Sequence, residues 1–351
     1  MREGAQRLPV LDFSTFLLVN SFHYGNSVRR IMPKVLVTGV AGFLGARLAK
    51  RLLKEGWEVA GMDLVPPGST HRLEGLKVDY RWMSLQDIRV LDAPYVVHAA
   101  AVADVPLALA SPNYALQQNV MGTAMLLEAA ARHNGFEHLV VQSSESVYGF
   151  AKKIPITEEE GLNPSNVYGA SKASQELIAR AYHNSHHLPV TIIRSSTLFG
   201  PEMRRTQAVT IFLTQAMKGE PITLHGDGQQ SRDLNFVDNC VDGIVRALAN
   251  PDAVGDIFNV ASGRETTMKQ LAEMCIAIVG EIPDSARRLR HYTSESTIIH
   301  TPQRPGEQGI RLVLDISKAQ RVLGYQPTIT LEQGLKETSN WLWEEDNPWP
   351  G

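Results

Sequence analysis

Short apolar runs rich in β-branched residues alternate with longer stretches of 3.6-residue period, starting abruptly at Met32-Pro33-Lys34-Val35-Leu36-Val37. A short apolar run bounded by turn residues reads as a strand buried on both faces. Strands are therefore expected at Val35 to Thr38, Glu58 to Met62, Asp79 to Met83, Tyr95 to His98, Leu139 to Ser143 and Val190 to Arg194. Helices fall between them: Phe43 to Glu55, stopped by Gly56; Asn113 to His133, stopped near Gly135; and Val167 to Tyr182, stopped before Pro189. Such alternation predicts an α/β fold with a doubly wound parallel sheet.

After Gly200-Pro201 the rhythm loosens. Short strands at Ile222 to Leu224, Ile257 to Val260 and Arg311 to Leu314 are expected among helices at Val241 to Leu248, Met268 to Val279 and Leu331 to Glu344. They predict a smaller C-terminal α/β lobe, with no low-complexity linker and hence a cleft between directly packed parts. The expected division is a nucleotide-binding domain over 32–198, to which 232–261 return, and a substrate lobe over 199–231 and 262–351. Residues 1–31 follow neither period and are expected to lie outside the fold, with a docked arm as the alternative; Met32 is a candidate natural start.

Composition narrows the function. Of 351 residues 43% are hydrophobic, enough for a sizeable core, and 34 basic against 37 acidic side chains leave a net charge of −3. That balance offers no field for nucleic acid or anionic lipid, and no apolar run approaches the ~18 residues of a membrane span. Cys240 and Cys275 have no partner at metal-ligand spacing and are expected to be core thiols, so the compartment reads as reducing cytosol.

Two motifs carry chemistry. Thr38-Gly39-Val40-Ala41-Gly42-Phe43-Leu44-Gly45 joins a strand to an amphipathic helix. Glycines there permit a tight turn and close approach of a pyrophosphate to the free amides of the helix N-terminus. Asp63, eighteen residues past Gly45 at a strand end, is placed to accept hydrogen bonds from a ribose. The second motif, Tyr-x-x-x-Lys, occurs twice. Tyr148 and Lys152 flank Gly149 and run toward Pro155, whereas Tyr168 heads a long helix and Lys172 lies one turn on, beside the phenol. An ammonium there helps a phenol of ordinary pKa ~10 to act as a base. Trp341 and Trp343 read as packing of the last helix, and His186-His187 as a solvated helix end.

Further motifs appear in order: His98-Ala99-Ala100-Ala101, Asn119-Val120-Met121-Gly122-Thr123, Ser143-Ser144-Glu145-Ser146-Val147-Tyr148-Gly149, Gly226-Asp227-Gly228-Gln229-Gln230-Ser231-Arg232-Asp233, Arg304-Pro305-Gly306-Glu307 and Leu323-Gly324-Tyr325-Gln326-Pro327. With the glycine loop and Tyr168/Lys172, they make residues 34–345 resemble an extended short-chain dehydrogenase/reductase of the NAD-dependent epimerase/dehydratase family. The resemblance implies a Rossmann-type domain with NAD held by Gly39, Gly42, Phe43, Leu44, Gly45, Asp63, Ala99, Ala100, Ala101, Tyr168 and Lys172. Asn119 would support the neighbouring strand, and Ser84 and Leu85 would stand at the adenine, where relatives carry an Asp-hydrophobe pair. Catalysis would fall to Ser144, Tyr168 and Lys172. Substrate contacts would come from Ser144, Glu145, Ser146 and Thr197, which replaces a common Asn, with Arg232 and Arg304 on a diphosphate and Glu307 on a ribose.

The resulting expectation is a cytoplasmic NAD-dependent nucleotide-sugar epimerase acting at C4, with a reductase or dehydratase of the same family as the alternative. A non-catalytic dinucleotide sensor has no need of Tyr168 and Lys172. NAD is expected over NADP because Asp63 would repel a 2′-phosphate and Leu64 to Gly68 supply no cation. A homodimer is implied, with Met125, Leu126 and Ala129 facing Ala173, Leu177 and Ala181 across a two-fold or, alternatively, serving as internal core.

Overall fold

The computed structural model describes residues 33–282, 296–302 and 311–345, together with the backbone of two short strands, β1 (Ser21–Tyr24) and β2 (Ser27–Arg30). These two pair only with each other, as an antiparallel hairpin.

The central sheet contains β3 (Lys34–Thr38), β4 (Glu58–Asp63), β5 (Val78–Trp82), β6 (Tyr95–His98), β7 (His138–Ser144), β8 (Val190–Ser195) and, further along the chain, Ile257–Val260. All seven run parallel, in the order Ile257–Val260, β8, β7, β6, β3, β4, β5. Every predicted strand of the first half is present, within a residue at each end. The chain enters at β3, builds outward through β5 and returns to β6 on the other side of β3. The crevice beyond the carboxyl ends of β3 and β6 is thus a topological switch point, where such sheets bind ligands.

Helix α1 (Phe43–Lys54) lays Leu48, Ala49 and Leu52 on one face of the sheet; α2 (Val105–Ala110) precedes the helices that cover the other face. The helix expected from Asn113 to His133 is interrupted. It comprises α3 (Pro112–Leu116), a π-helical turn (Gln117–Met121) and α4 (Gly122–Ala131). The wider turn leaves Asn119 fully buried, and such turns frequently accompany functional sites. Helix α5 (Val167–His186) opens at Asn166, whose side chain accepts from the Gly169 amide at 2.9 Å.

The looser second half completes the list with β9 (Thr197–Phe199), α6 (Ala208–Lys218), β10 (Ile222–His225), β11 (Ser231–Phe236), α7 (Val237–Ala249), β12 (Ile257–Val260, the sheet's last strand), β13 (Glu265–Thr267), α8 (Met268–Gly280), β14 (Ile298–Thr301), α9 (Ser317–Leu323) and α10 (Leu331–Glu345). Helix α7 packs on α1, while Phe212, Leu213, Leu271, Cys275 and Leu335 close a separate core between α6, α8 and α10. Cys240 and Cys275 are free and buried, as expected. The strand expected at Arg311 to Leu314 is absent: Leu314 bridges Ile156 and Arg311 bridges Ser231 singly, because the segment passes between two partners without running along either. No helix of the described residues is long and apolar enough to cross a membrane.

Candidate active site

A cavity of about 680 Å³ opens at the switch point, a size suited to small-molecule ligands. One end is built from backbone. Gly39 has a φ of 72°, and a Cβ on it would lie 2.7 Å from the backbone of Ala100; a Cβ on Gly45 would lie 2.0 Å from the Gly39 carbonyl oxygen. The loop and the turn after β6 are therefore in contact through atoms that no side chain can separate. Gly42 caps α1 without a side-chain hydrogen bond, which leaves the first-turn amides to the cavity, which Phe43, Leu44, Ala99, Ala100 and Ala101 also line. Asp63 closes this end. Its carboxylate accepts from the Ala41 amide at 2.9 Å and the Val65 amide at 3.1 Å, tying the loop down while lining the cavity.

Some expected contacts sit behind the wall. Leu85 lines the cavity, but Ser84 does not: its hydroxyl accepts from Gln86 N at 3.2 Å to cap a 3₁₀ turn. Asn119 braces the rim from behind, accepting from Val102 N at 2.7 Å and donating to Ser171 Oγ at 2.8 Å. Arg72 had no sequence signal. It returns from the polar turn after β4 to line the cavity and donates to the Glu202 carbonyl at 2.8 Å.

The other end is built from side chains. Ser144, Glu145 and Ser146 at the end of β7, Tyr168 and Lys172 on α5, and Thr197 on β9 line it together. Ser144 and Ser146 hydroxyls are 3.2 Å apart, and the Ser144 hydroxyl is near enough to the Tyr168 phenol to favour its ionised form. Burial pushes the phenol above its ordinary pKa, against the Ser144 hydroxyl and the charge of Arg204. Burial lowers Lys172 to about 8, opposed by Glu176 one turn on.

Behind Lys172 lies a buried scaffold. Glu176 accepts from Arg194 at 2.6 Å and from the Ser143 hydroxyl, and Arg194 covers the Tyr148 ring at 4.7 Å. Tyr148 is fully buried and donates to Asn259 at 2.7 Å, which makes it part of this scaffold and not of the cavity wall. His98 is a second brace, bridging Thr38 at 2.7 Å and Thr123 at 2.8 Å; burial and then the Lys172 charge lower it to about 3, so it is neutral.

Glu145 is 5% exposed, and burial raises its carboxyl to about 8. Thr197 donates to its Oε1 at 2.7 Å. Arg232 does not line the cavity; it donates to the Ser231 carbonyl and lies close enough to favour the ionised form of Glu145. Arg304 and Glu307 fall outside the described residues.

A glycine loop, an acid at the end of the second sheet strand and a Ser/Tyr/Lys cluster around one cavity define the class of dinucleotide-binding α/β proteins with an acid–base cluster beside the cofactor loop. Residues 35–261 match the model of the NAD dependent epimerase/dehydratase family, and the chain belongs to that family, whose cofactor is NAD. It is 33% identical over 319 residues to a UDP-glucose 4-epimerase of Mycolicibacterium smegmatis, covering 87% of this chain and 97% of that one. It is 31% identical over 329 residues to a dTDP-glucose 4,6-dehydratase of Streptomyces griseus, covering 90% and 95%. Among solved structures, UDP-glucuronic acid 4-epimerase from Bacillus cereus, in complex with UDP-glucuronic acid and NAD, superposes with a TM-score of 0.78 at 28% identity, over 90% of this chain and all of that one.

Proposed function

We propose that the chain is an NAD-dependent nucleotide-sugar epimerase acting at C4 through a transient 4-keto sugar. Gly39, Gly42 and Gly45 would admit the cofactor pyrophosphate to the amides of α1, Asp63 would take the adenosine ribose, and Lys172 the nicotinamide ribose. When bound, NAD supplies the acceptor and donor of one hydride. Ser144 orients the sugar 4-hydroxyl, and Tyr168 removes its proton and later returns it. Because burial alone disfavours the phenolate, Tyr168 needs the Ser144 hydroxyl and local positive charge to work near neutral pH. Arg232, Arg304 and Glu307 would anchor the nucleotide, so that binding energy away from the ring lets the keto sugar turn over between the two hydride transfers.

The observation that carries this reading is the convergence of Ser144, Tyr168 and Lys172 on the cavity that the glycine loop closes. Dehydratases among the relatives give the second reading, and the wall after Ser144 weighs against it. Eliminating water across C5 and C6 needs an acid and a base together, whereas Glu145 is followed by Ser146, a hydroxyl too weak to take a carbon-bound proton. Incubation with a panel of nucleotide sugars, with NMR of the sugar ring, should show interconversion at C4; conversion to a deoxy-keto sugar would establish the dehydratase instead.

A homodimer in the cytoplasm is proposed as the working form. Of the side chains expected at its interface, Leu126, Ala129 and Ala173 are buried within the subunit and Met125 packs against the same core, while Leu177 and Ala181 are exposed. Leu109, Leu116 and Met121, on the elements packed beside α5, are exposed too. Light scattering should give twice the subunit mass at micromolar protein; a monomer contradicts it.

A further inference from the structure

Between β9 and α6, residues 200–207 bring Met203, Arg204 and Gln207 into the wall of the cavity that the glycine loop also lines. Three polar ties fasten this segment like a strap, and all three run to the dinucleotide-binding half. Arg47 on α1 donates to the Pro201 carbonyl at 3.3 Å, Arg72 from the turn after β4 donates to the Glu202 carbonyl at 2.8 Å, and Arg204 pairs with Asp104 from the turn after β6. Glu202 itself has a φ of 69°, a left-handed conformation that sterics disfavour for a residue with a Cβ. The strap is thus held by its ties against the preference of its own backbone.

Arg72 also touches the glycine loop. One guanidinium nitrogen lies 3.5 Å from the Ala41 carbonyl, another donates to the Glu202 carbonyl, and Nε sits 3.6 Å from the Glu202 carboxylate. A single planar cation joins loop to strap from a position in the cavity wall. We propose that Arg72 latches residues 200–207 over the glycine-loop end of the cavity, and that NAD enters and leaves only when Arg72 lets go of Glu202. The two side chains are 25% and 30% exposed, so water competes for the pair and the latch opens often enough to set a rate. Such a latch suits a redox-neutral reaction. A nicotinamide that takes a hydride and gives it back need not leave between turnovers, whereas one released as NADH must pass the strap each time.

A latch and a ligand differ in what they change. A latch that holds the strap with or without NAD raises the barriers to entry and exit alike and leaves Kd where it was; a side chain that grips NAD slows exit alone and lowers Kd. The test chases radiolabelled NAD from the loaded enzyme with excess unlabelled NAD, with Kd measured separately by equilibrium dialysis. Arg72→Ala, which loses the hydrogen bond and the ion pair, should speed release by about tenfold. Glu202→Gln, which loses the ion pair alone and lies outside the cavity wall, should speed it by about threefold. Kd should stay within about twofold in both, and Glu202→Gln should add nothing once Arg72 is Ala, because it acts only through Arg72. Release at the ordinary rate in either variant overturns the inference. So does a Kd that rises in step with release in Arg72→Ala, which would make Arg72 a ligand of NAD. The epimerase reading concerns the sugar and stands in either case.

Discussion

The two ends of the cavity are built by opposite means. At the glycine-loop end the wall is backbone: a Cβ on Gly45 would sit 2.0 Å from the Gly39 carbonyl, and Asp63 is spent partly on the amides of Ala41 and Val65. At the Tyr168 end the wall is side chains whose protonation burial has moved, with Lys172 and Glu145 both brought to about 8. The first end can bind an invariant group by shape and needs no titrating residue. In the proposed reaction the second end moves a proton, and it places ionisable groups where water does not hold them at their ordinary pKa values.

Substitutions separate the ends. Tyr168→Phe should lower kcat by roughly 10² to 10⁴ with NAD affinity retained. Tyr148→Phe should instead lower stability by about 1–3 kcal/mol, since Asn259 loses a buried partner, with kcat little changed. Rates and thermal melts of the pair would break the comparison if the losses were equal. At the backbone end, Gly45→Ala should weaken NAD binding by more than about tenfold, because its Cβ must displace backbone, whereas Gly68→Ala, where a Cβ meets nothing within 4 Å, should not. Titration of NAD fluorescence quenching reads both; a Gly45→Ala protein binding normally would contradict the close approach. The smallest effect is expected of Asp63→Ala: a several-fold loss of preference for NAD over NADP, from removing the charge that repels a 2′-phosphate. An unchanged preference would remove Asp63 from that role.

The first half of the fold was legible because its strands, the half-exposed edge strand β5 excepted, are buried on both faces and its helices on one, so that period alone separates them. The glycine loop was legible for a related reason, since its glycines answer to backbone contacts that leave no room for another residue. The second half hid its short strands. Thr197–Phe199 pairs with Leu234–Phe236, and Ser231–Asp233 pairs with Glu265–Thr267, runs too brief and too distant in sequence to show a pattern. The same distance concealed Arg72 at the rim and the state of Glu145, which depends on Thr197 and Asp233 arriving from other strands. Leu126 and Ala129 have the spacing of an interface, yet helix α4 buries them in the core against the sheet, and Ala173 is buried in a separate cluster with Val147, Tyr148 and Leu314; period tells that a face is covered, not by what.

The central claim is reversible hydride removal at C4 with no other bond broken. A nucleotide hexose carrying deuterium at C4, incubated with the enzyme and NAD and followed by mass spectrometry and absorbance, tests it directly. The account predicts a C4 epimer of unchanged mass that retains its deuterium, without accumulation of NADH. Loss of water from the sugar, or NADH released in proportion to product, would contradict it.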